Sequence, residues 1–132
     1  MSAATAEEKA LEQGLLWFIR ERCAAEFGVQ MGLMGKVGKA KEHWPVADAT
    51  QCAVLVARRL GVRTGLVAEH FGKEHSWVSN IMRTARIEAE NMAVAILPVV
   101  RAEWEALQAA KREREMSPKE RAYRELKKEF AA

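Results

Sequence analysis

Polar side chains that suit the edges of nucleic-acid bases are concentrated between residues 73 and 83, in the stretch KEHSWVSNIMR. Asparagine can pair with adenine, arginine can pair with guanine, and serine can bond to several kinds of base edge. The exposed face of an ordinary surface helix is more often built from lysine and glutamate. The residue types therefore favour hydrogen bonding to bases over a simple solvated face.

The apolar spacing around this stretch predicts two short helices joined by a tight turn. A helix from about Gly65 to Phe71 should end at Gly72, and a second helix should start near Glu74. The residues expected to hold the two helices together are Val67, Ala68, Val78, Ile81, Met82 and Ala85.

This arrangement is typical of a helix-turn-helix, whose second helix lies in the major groove of DNA. The side chains expected to point outward are Glu74, His75, Ser76, Ser79, Asn80 and Arg83. Glycine-terminated helix pairs also occur in other α-helical domains. A protein-interaction module therefore stays open as a second interpretation.

The charge distribution favours an anionic partner for the middle of the chain. The net charge is +3, and residues 36–89 hold 9 basic and 5 acidic groups, an excess of four. Residues 1–35 hold 3 basic and 5 acidic groups, and residues 90–132 hold 9 and 8. Lysines in the stretch GKVGKAKEHWP predict a basic loop that contacts phosphate.

The remaining pattern predicts helices throughout and no strands. Thr5 with Glu8 reads as a capping box, and Gly28 should end the helix that it opens. Asp48 with Gln51 reads as a second capping box, which should open a central helix that ends at Gly61.

The last third of the chain carries two further helix signals. The pattern restarts near Asn91, and Pro98 should either kink that helix or open a new one. Ser117 should cap a charged final helix. Its few apolar residues are Tyr123, Leu126 and Phe130.

Other kinds of chemistry find little support in the residues. Cys23 and Cys52 lie in apolar patterns and are expected to be buried thiols of a cytoplasmic protein. His70 and His75, each preceded by a glutamate, are spaced across the turn, so their rings need not converge on a metal. We expect no membrane span, no cofactor, no metal and no enzymatic activity.

The flanking residues resemble a known family more specifically. GKEHSWV resembles the Gly-Arg-Asp-His-Thr/Ser-Thr-Val signature of the C-terminal DNA-binding domain of the bacterial replication initiator DnaA. LVARRL is similar to the central helix of that domain, GKVGKAK to its basic minor-groove loop, and EFGV to the end of its opening helix. The likeness covers about residues 11–107.

The resemblance implies roles for individual residues of the signature. Lys73 stands where the family has Arg, and Glu74 stands where it has Asp. His75 matches the base-reading His, and Ser76 matches Thr/Ser. The residues expected to read bases are Lys73, Glu74, His75, Ser76, Ser79, Asn80 and Arg83.

Outside the signature, the resemblance implies contacts to the DNA backbone and minor groove. Lys39 or Lys41 would replace the minor-groove arginine, whereas Thr50 replaces an arginine that touches phosphate, so that contact should be lost. Trp77 stands where a small Thr is usual, and would either wedge against DNA or pack on the N-terminal helix. The expected backbone and minor-groove residues are Lys36, Lys39, Lys41, Gln51, Arg63, Thr64 and Trp77.

We therefore expect an all-α, DnaA domain-IV-like (Trp-repressor-like) helix-turn-helix bundle with a charged C-terminal helix. Residues 1–110 would form the DNA-binding domain and residues 111–132 the tail, which would dock on a second copy or on another protein. With no GxxxxGK[ST] phosphate loop, the expected function is that of a small bacterial or phage transcriptional regulator that binds double-stranded DNA. The alternative is a replication- or phage-related adaptor without base readout.

Overall fold

The computed structural model describes residues 5–36 and 40–131, and these residues are helical with no strand. The all-α prediction is confirmed. Two short 3-10 turns, Met31–Leu33 and Lys41–His43, lie between the first two helices. The α-helices in the described residues are α1 (Ala6–Phe27), α2 (Trp44–Arg59), α3 (Thr64–His70), α4 (His75–Thr84), α5 (Ile87–Glu115) and α6 (Pro118–Ala131).

The chain divides into two compact units, Met1–Arg101 and Ala102–Ala132. In the first unit, α2 is the central helix, and every residue from Cys52 to Ala57 is buried. Helix α1 packs on α2 through an apolar face that includes Leu16 and Ile19. An almost wholly apolar helix is stable in water only when neighbours cover it on all sides, which explains the central position of α2.

Local capping signals set the ends of α1 as predicted. The hydroxyl of Thr5 accepts a hydrogen bond from the backbone N–H of Glu8 at 3.1 Å. At the other end, Gly28 has a φ of 64°, and its N–H bonds back to the last turn of the helix. Glycine adopts this left-handed conformation without the Cβ clash that other residues suffer.

The predicted start of α2 at Asp48 is wrong, because the helix begins at Trp44 with Pro45 in its first turn. Asp48 lies inside the helix and is buried. Its carboxylate accepts a hydrogen bond from Arg86 Nε at 2.5 Å. The acidic side chain at this position therefore serves a distant arginine rather than the helix end.

Helix α5 runs through Pro98 without interruption and begins at Ile87, earlier than the predicted restart near Asn91. A proline inside a helix removes the hydrogen bond to the carbonyl four residues earlier, here that of Val94. Val94 is 62% exposed, so water can reach this part of the backbone. Solvation of that carbonyl lowers the cost of keeping the helix continuous.

The second unit contains the end of α5 and the whole of α6. Ser117 caps α6 as predicted, since its Oγ accepts from the N–H of Glu120 at 3.2 Å. Arg121 donates to the carbonyls of Glu113 and Arg114, and Arg124 pairs with the Glu113 carboxylate at 2.6 Å. These contacts satisfy backbone carbonyls at the end of α5 that have no partner within the helix. No helix in the described part of the chain has the length and apolar character needed to cross a membrane.

Candidate nucleic-acid interface

Helices α3 and α4 form the tight pair that the sequence predicts. The turn between them depends on Gly72, which has a φ of 66°. The N–H of Gly72 bonds to Glu69 O at 3.1 Å, and the N–H of Lys73 bonds to Ala68 O at 2.8 Å. These two bonds close α3 and direct the chain into α4 at a sharp angle.

The inner face of the pair is apolar and well covered. Val67, Ala68, Val78 and Ile81 are buried, as expected. Met82 does not belong to this stripe, because 39% of its surface is exposed. A residue that follows Ile81 directly is rotated by about 100° around the helix, which turns Met82 away from the core.

The outer face of α4 presents the predicted polar set to solvent. The residues that are exposed at its start and along its outer surface are Lys73, Glu74, His75, Ser76, Ser79, Asn80 and Arg83. Among them, Arg83 Nη2 donates to Asn80 Oδ1 at 2.7 Å. Thr84 Oγ1 donates to the carbonyl of Asn80 at 2.7 Å. Asn80 and Arg83 therefore form one hydrogen-bonded pair of exposed side chains.

His75 lies closer to α3 than its exposure suggests. A Cβ placed on Gly65 would lie 3.2 Å from His75 Nε2 and 3.4 Å from Cε1. The imidazole therefore covers Gly65 in the first turn of α3, and a Cβ there would require the ring to shift by a few tenths of an ångström. Small residues are needed where two helices approach this closely.

Trp77 contacts the last residue before the turn and the lysine that follows it. Its ring centroid lies 5.6 Å from that of Phe71, and Lys73 Nζ lies 5.8 Å from the Trp77 centroid. Trp77 thus joins the end of α3 to the first turn of α4, and it holds a lysine over its face by a cation–π contact.

Two of the three predicted loop lysines are described, and both are exposed. Lys36 follows the 3-10 turn after α1, and Lys41 begins the turn before α2. Lys39 lies outside the described residues. Lys41 Nζ is 5.7 Å from the ring centroid of Trp44. Among the described residues, Lys36, Lys41 and Lys73 form no ion pair with a carboxylate, which leaves their charges uncompensated.

Two of the other predicted backbone contacts, Arg63 and Gln51, already have partners within the protein. Arg63 pairs with Glu8 at 3.2 Å and with Glu12 at 3.6 Å. Gln51 Oε1 accepts from the N–H of Arg86 at 2.8 Å. Thr64 begins α3 and is partly buried.

Thr50 is hydrogen-bonded inside the protein, which is consistent with the expectation that it makes no phosphate contact. It is buried, donates its hydroxyl proton to Val46 O at 2.9 Å, and accepts from the N–H of Gly35 at 3.0 Å. A long cationic side chain at this position would have to leave the core to reach a phosphate.

The main residue that sequence reasoning missed is Arg86, which follows α4. Besides Asp48 and Gln51, it contacts Trp44, with its guanidinium carbon 4.0 Å from the ring centroid. The signal was Asp48 itself, because an acidic residue within an apolar helix pattern needs a buried partner. The partner lies 38 residues away in sequence, so no local pattern identifies it.

His70 is hydrogen-bonded to an arginine of α1. Arg20 Nη1 lies 3.2 Å from His70 Nε2, and since arginine can only donate, the imidazole accepts with its proton on Nδ1. Burial, with a smaller contribution from Arg20, lowers the pKa of His70 to about 4. No group of three metal-binding side chains occurs among the residues that the structure describes.

Comparisons with protein-family models, with curated proteins and with solved structures gave no match.

Proposed function

We propose that the protein binds double-stranded DNA through α3 and α4, with α4 in the major groove. The observation that carries the proposal is the exposed outer face of α4. It combines base-compatible side chains with a rigid apolar inner face, of which Val67 and Val78 are completely buried. A reading helix must present such groups on a backbone that does not move when DNA binds.

The uncompensated lysines support the same proposal. Lys41 and Lys73 each lie over a tryptophan ring, and Lys36 lies on the first described part of the basic loop. Cations without carboxylate partners are available to neutralise phosphates and release the counterions condensed on DNA. Arg63, already paired with Glu8 and Glu12, would have to break ion pairs to do so.

The finer proposal is that the chain is a DnaA domain-IV-like regulator of bacterial or phage origin. It is supported by the signature GKEHSWV, in which Gly72 forms the turn and Val78 is buried. In this arrangement, His75 contacts a base through Nδ1, because Nε2 lies against Gly65 unless the ring moves. Asn80 and Arg83 carry most of the base readout because they are exposed and ordered by each other.

A salt titration of duplex binding tests the phosphate contacts. The double variant Lys41→Ala/Lys73→Ala should reduce the slope of log K against log salt by about two, close to 0.9 for each phosphate contact. Lys111→Ala, on the exposed end of α5, is the matched control and should leave the slope unchanged. Binding that is absent at low salt would refute DNA binding.

Base reading is tested separately with a site selected from random duplex DNA. Asn80→Ala should cost roughly 1–3 kcal/mol on the preferred site and much less on random duplex. Met82→Ala removes a neighbouring exposed side chain that cannot donate a hydrogen bond, and should change both affinities equally. Equal losses on both duplexes for Asn80→Ala would assign this face to general affinity.

The second candidate function is a protein-interaction module, and the tail favours it. Tyr123, Leu126 and Phe130 are 70%, 51% and 86% exposed on one side of α6. Exposed apolar residues at helical spacing are typical of a helix that docks in a groove of another protein. Salt-insensitive binding to a protein, with no duplex binding, would favour this function.

A further inference from the structure

A groove opens beside the α3–α4 turn, between α1 and the 3-10 turn Met31–Leu33. Its volume is about 630 Å³, which is within the range of small-molecule sites. Phe71 and Gly72 contribute to its lining, so an occupant would touch the turn that positions α4. The outer face of α4, which carries the proposed DNA contacts, does not line this groove.

The charge of Arg20 at the wall of the groove is not neutralised by a neighbouring anion. Only 7% of this residue is exposed, and no carboxylate pairs with it among the described residues. Its nearest ionisable contact is His70, which is neutral near pH 7 because its pKa is lowered to about 4. Buried charges in proteins are normally paired, so this cation lacks its counterion.

The hydrogen bonds of Arg20 leave one donor for a ligand. Its Nε and Nη2 donate to Met31 O at 3.1 Å and 2.8 Å, and Nη2 also approaches Met34 O at 3.5 Å. Nη1 donates one proton to His70. A guanidinium has five N–H groups, so one N–H on Nη1 remains. One remaining donor suits a single carboxylate oxygen.

An aromatic surface lies directly beside this cation. Trp17 is 51% exposed, although Arg20 Cζ lies over its ring, 5.2 Å from the centroid, and the His70 ring centroid lies 4.7 Å from it in an edge-to-face arrangement. The indole thus contacts Arg20 and His70 while about half of the residue's surface is exposed. A planar apolar ring that stacked there would remove exposed aromatic area from water.

The other charges of the groove favour a monoanion. Lys36 adds one positive charge at the groove, and Glu69 adds one negative charge. With Arg20, the excess is a single positive charge. A bound dianion such as phosphate would leave the groove with a net negative charge, because Glu69 is also negative.

We propose that this groove is a binding site for a small aromatic carboxylate. The carboxylate would accept from Arg20 Nη1 and approach Lys36, and its ring would cover the exposed surface of Trp17. The proposal does not depend on DNA binding. Occupancy of the groove by the carboxylate can be measured on the protein alone, without DNA.

The test is a titration of the full-length protein with sodium benzoate, with acetate and benzyl alcohol as probes that each lack one feature. Binding is measured by calorimetry and by the amide shifts of a ¹⁵N-labelled sample. Benzoate should bind at least about tenfold more tightly than either comparison probe, since only benzoate satisfies both the cation and the indole. Shifts should be largest at Gly32 and Gly72, which line the groove, and small at Gly61, which does not.

Two rim variants make the proposal falsifiable while leaving the Arg20 side chain itself unchanged. Trp17→Leu should weaken benzoate binding by roughly threefold to tenfold, as expected for the loss of an aromatic contact. Trp44→Leu, which removes another partly exposed tryptophan beside two cations, is the matched control and should not change it. Glu69→Gln should tighten binding by removing a like charge.

Several results would overturn the proposal. Equal binding of benzoate and acetate would reduce the site to a general anion contact. Equal binding of benzoate and benzyl alcohol would show that Arg20 does not recognise the carboxylate. Benzoate affinity that is unchanged in Trp17→Leu, or shifts centred on Gly61, would place the binding elsewhere.

Discussion

The contact between His70 and Arg20 gives a single residue a measurable effect on the pH dependence of stability. The pKa of His70 is lowered from 6.5 to about 4, by burial first and by the arginine second. In the unfolded chain the imidazole takes up a proton as the pH falls below 6.5, whereas the folded chain resists protonation until about pH 4. The folded state is therefore favoured fully above pH 6.5 and loses this contribution between pH 6.5 and 4.

We expect His70→Gln to flatten this part of the stability profile. Glutamine can still accept from Arg20 Nη1, but it does not titrate. The loss of unfolding free energy between pH 6.5 and 4 should be smaller in the variant than in the natural chain. Urea denaturation at several pH values measures the difference, and pH 8, where both side chains are neutral, gives the reference. Parallel profiles would show that carboxylates alone set the acid dependence.

At the scale of elements, the turn between α3 and α4 depends on one backbone conformation. Gly72→Ala should destabilise the protein by about 1–2 kcal/mol, because an L-residue with a φ of 66° brings its Cβ close to the following carbonyl. Gly32→Ala is the matched control: a Cβ there meets no atom within 4 Å, and its φ is not positive. The control should stay within about 0.5 kcal/mol of the natural chain in chemical denaturation. Equal destabilisation of both variants would show that the positive φ of Gly72 is not the cause.

The elements that could be predicted from the sequence are those with local causes. Caps and turns form within about five residues, and they lie where the sequence predicts them, at Thr5, Gly28, Gly72 and Ser117. Helix α2 was predicted as central because its residues are almost all apolar. The start of α2 is predicted wrongly because Asp48 and Gln51 have the spacing of a capping box although they lie inside the helix.

The parts that could not be predicted depend on pairs distant in sequence. Arg20 meets His70 50 residues later, and Arg86 meets Asp48 38 residues earlier. Helical periodicity identifies which face a residue occupies but does not identify its partner across the core. For the candidate interface, the exposure of α4 could be predicted, whereas the packing of His75 on Gly65 and of Trp77 on Phe71 required the structure.

At the scale of the whole molecule, removing the tail should affect assembly without affecting the fold of the first unit. A chain that ends near Ala110 should keep the helical fold of the Met1–Arg101 unit, and with it the proposed binding to a single duplex site, because the buried core lies within that unit. If the tail docks on a second copy or on another protein as proposed, this docking should be lost, since Tyr123, Leu126 and Phe130 are removed. Circular dichroism and sedimentation measure the two properties. Unfolding of the shortened chain would contradict the first expectation, and unchanged assembly the second.

The packing of α1 on α2 also means that the separation of these helices can be measured by the reactivity of two cysteines. Cys23 and Cys52 are free, fully buried thiols, one on each helix, with their Sγ atoms 3.6 Å apart. The hydrogen bond from Cys23 to Cys52, together with burial, raises the pKa of the Cys23 thiol, so little reactive thiolate forms in the folded state. A thiol reagent can modify either cysteine only after the two helices separate. Labelling should be at least roughly a thousandfold slower than that of an unfolded thiol, and its rate should follow the equilibrium for opening α1 from α2. Reaction at the rate of an unfolded thiol would show that this central contact opens freely.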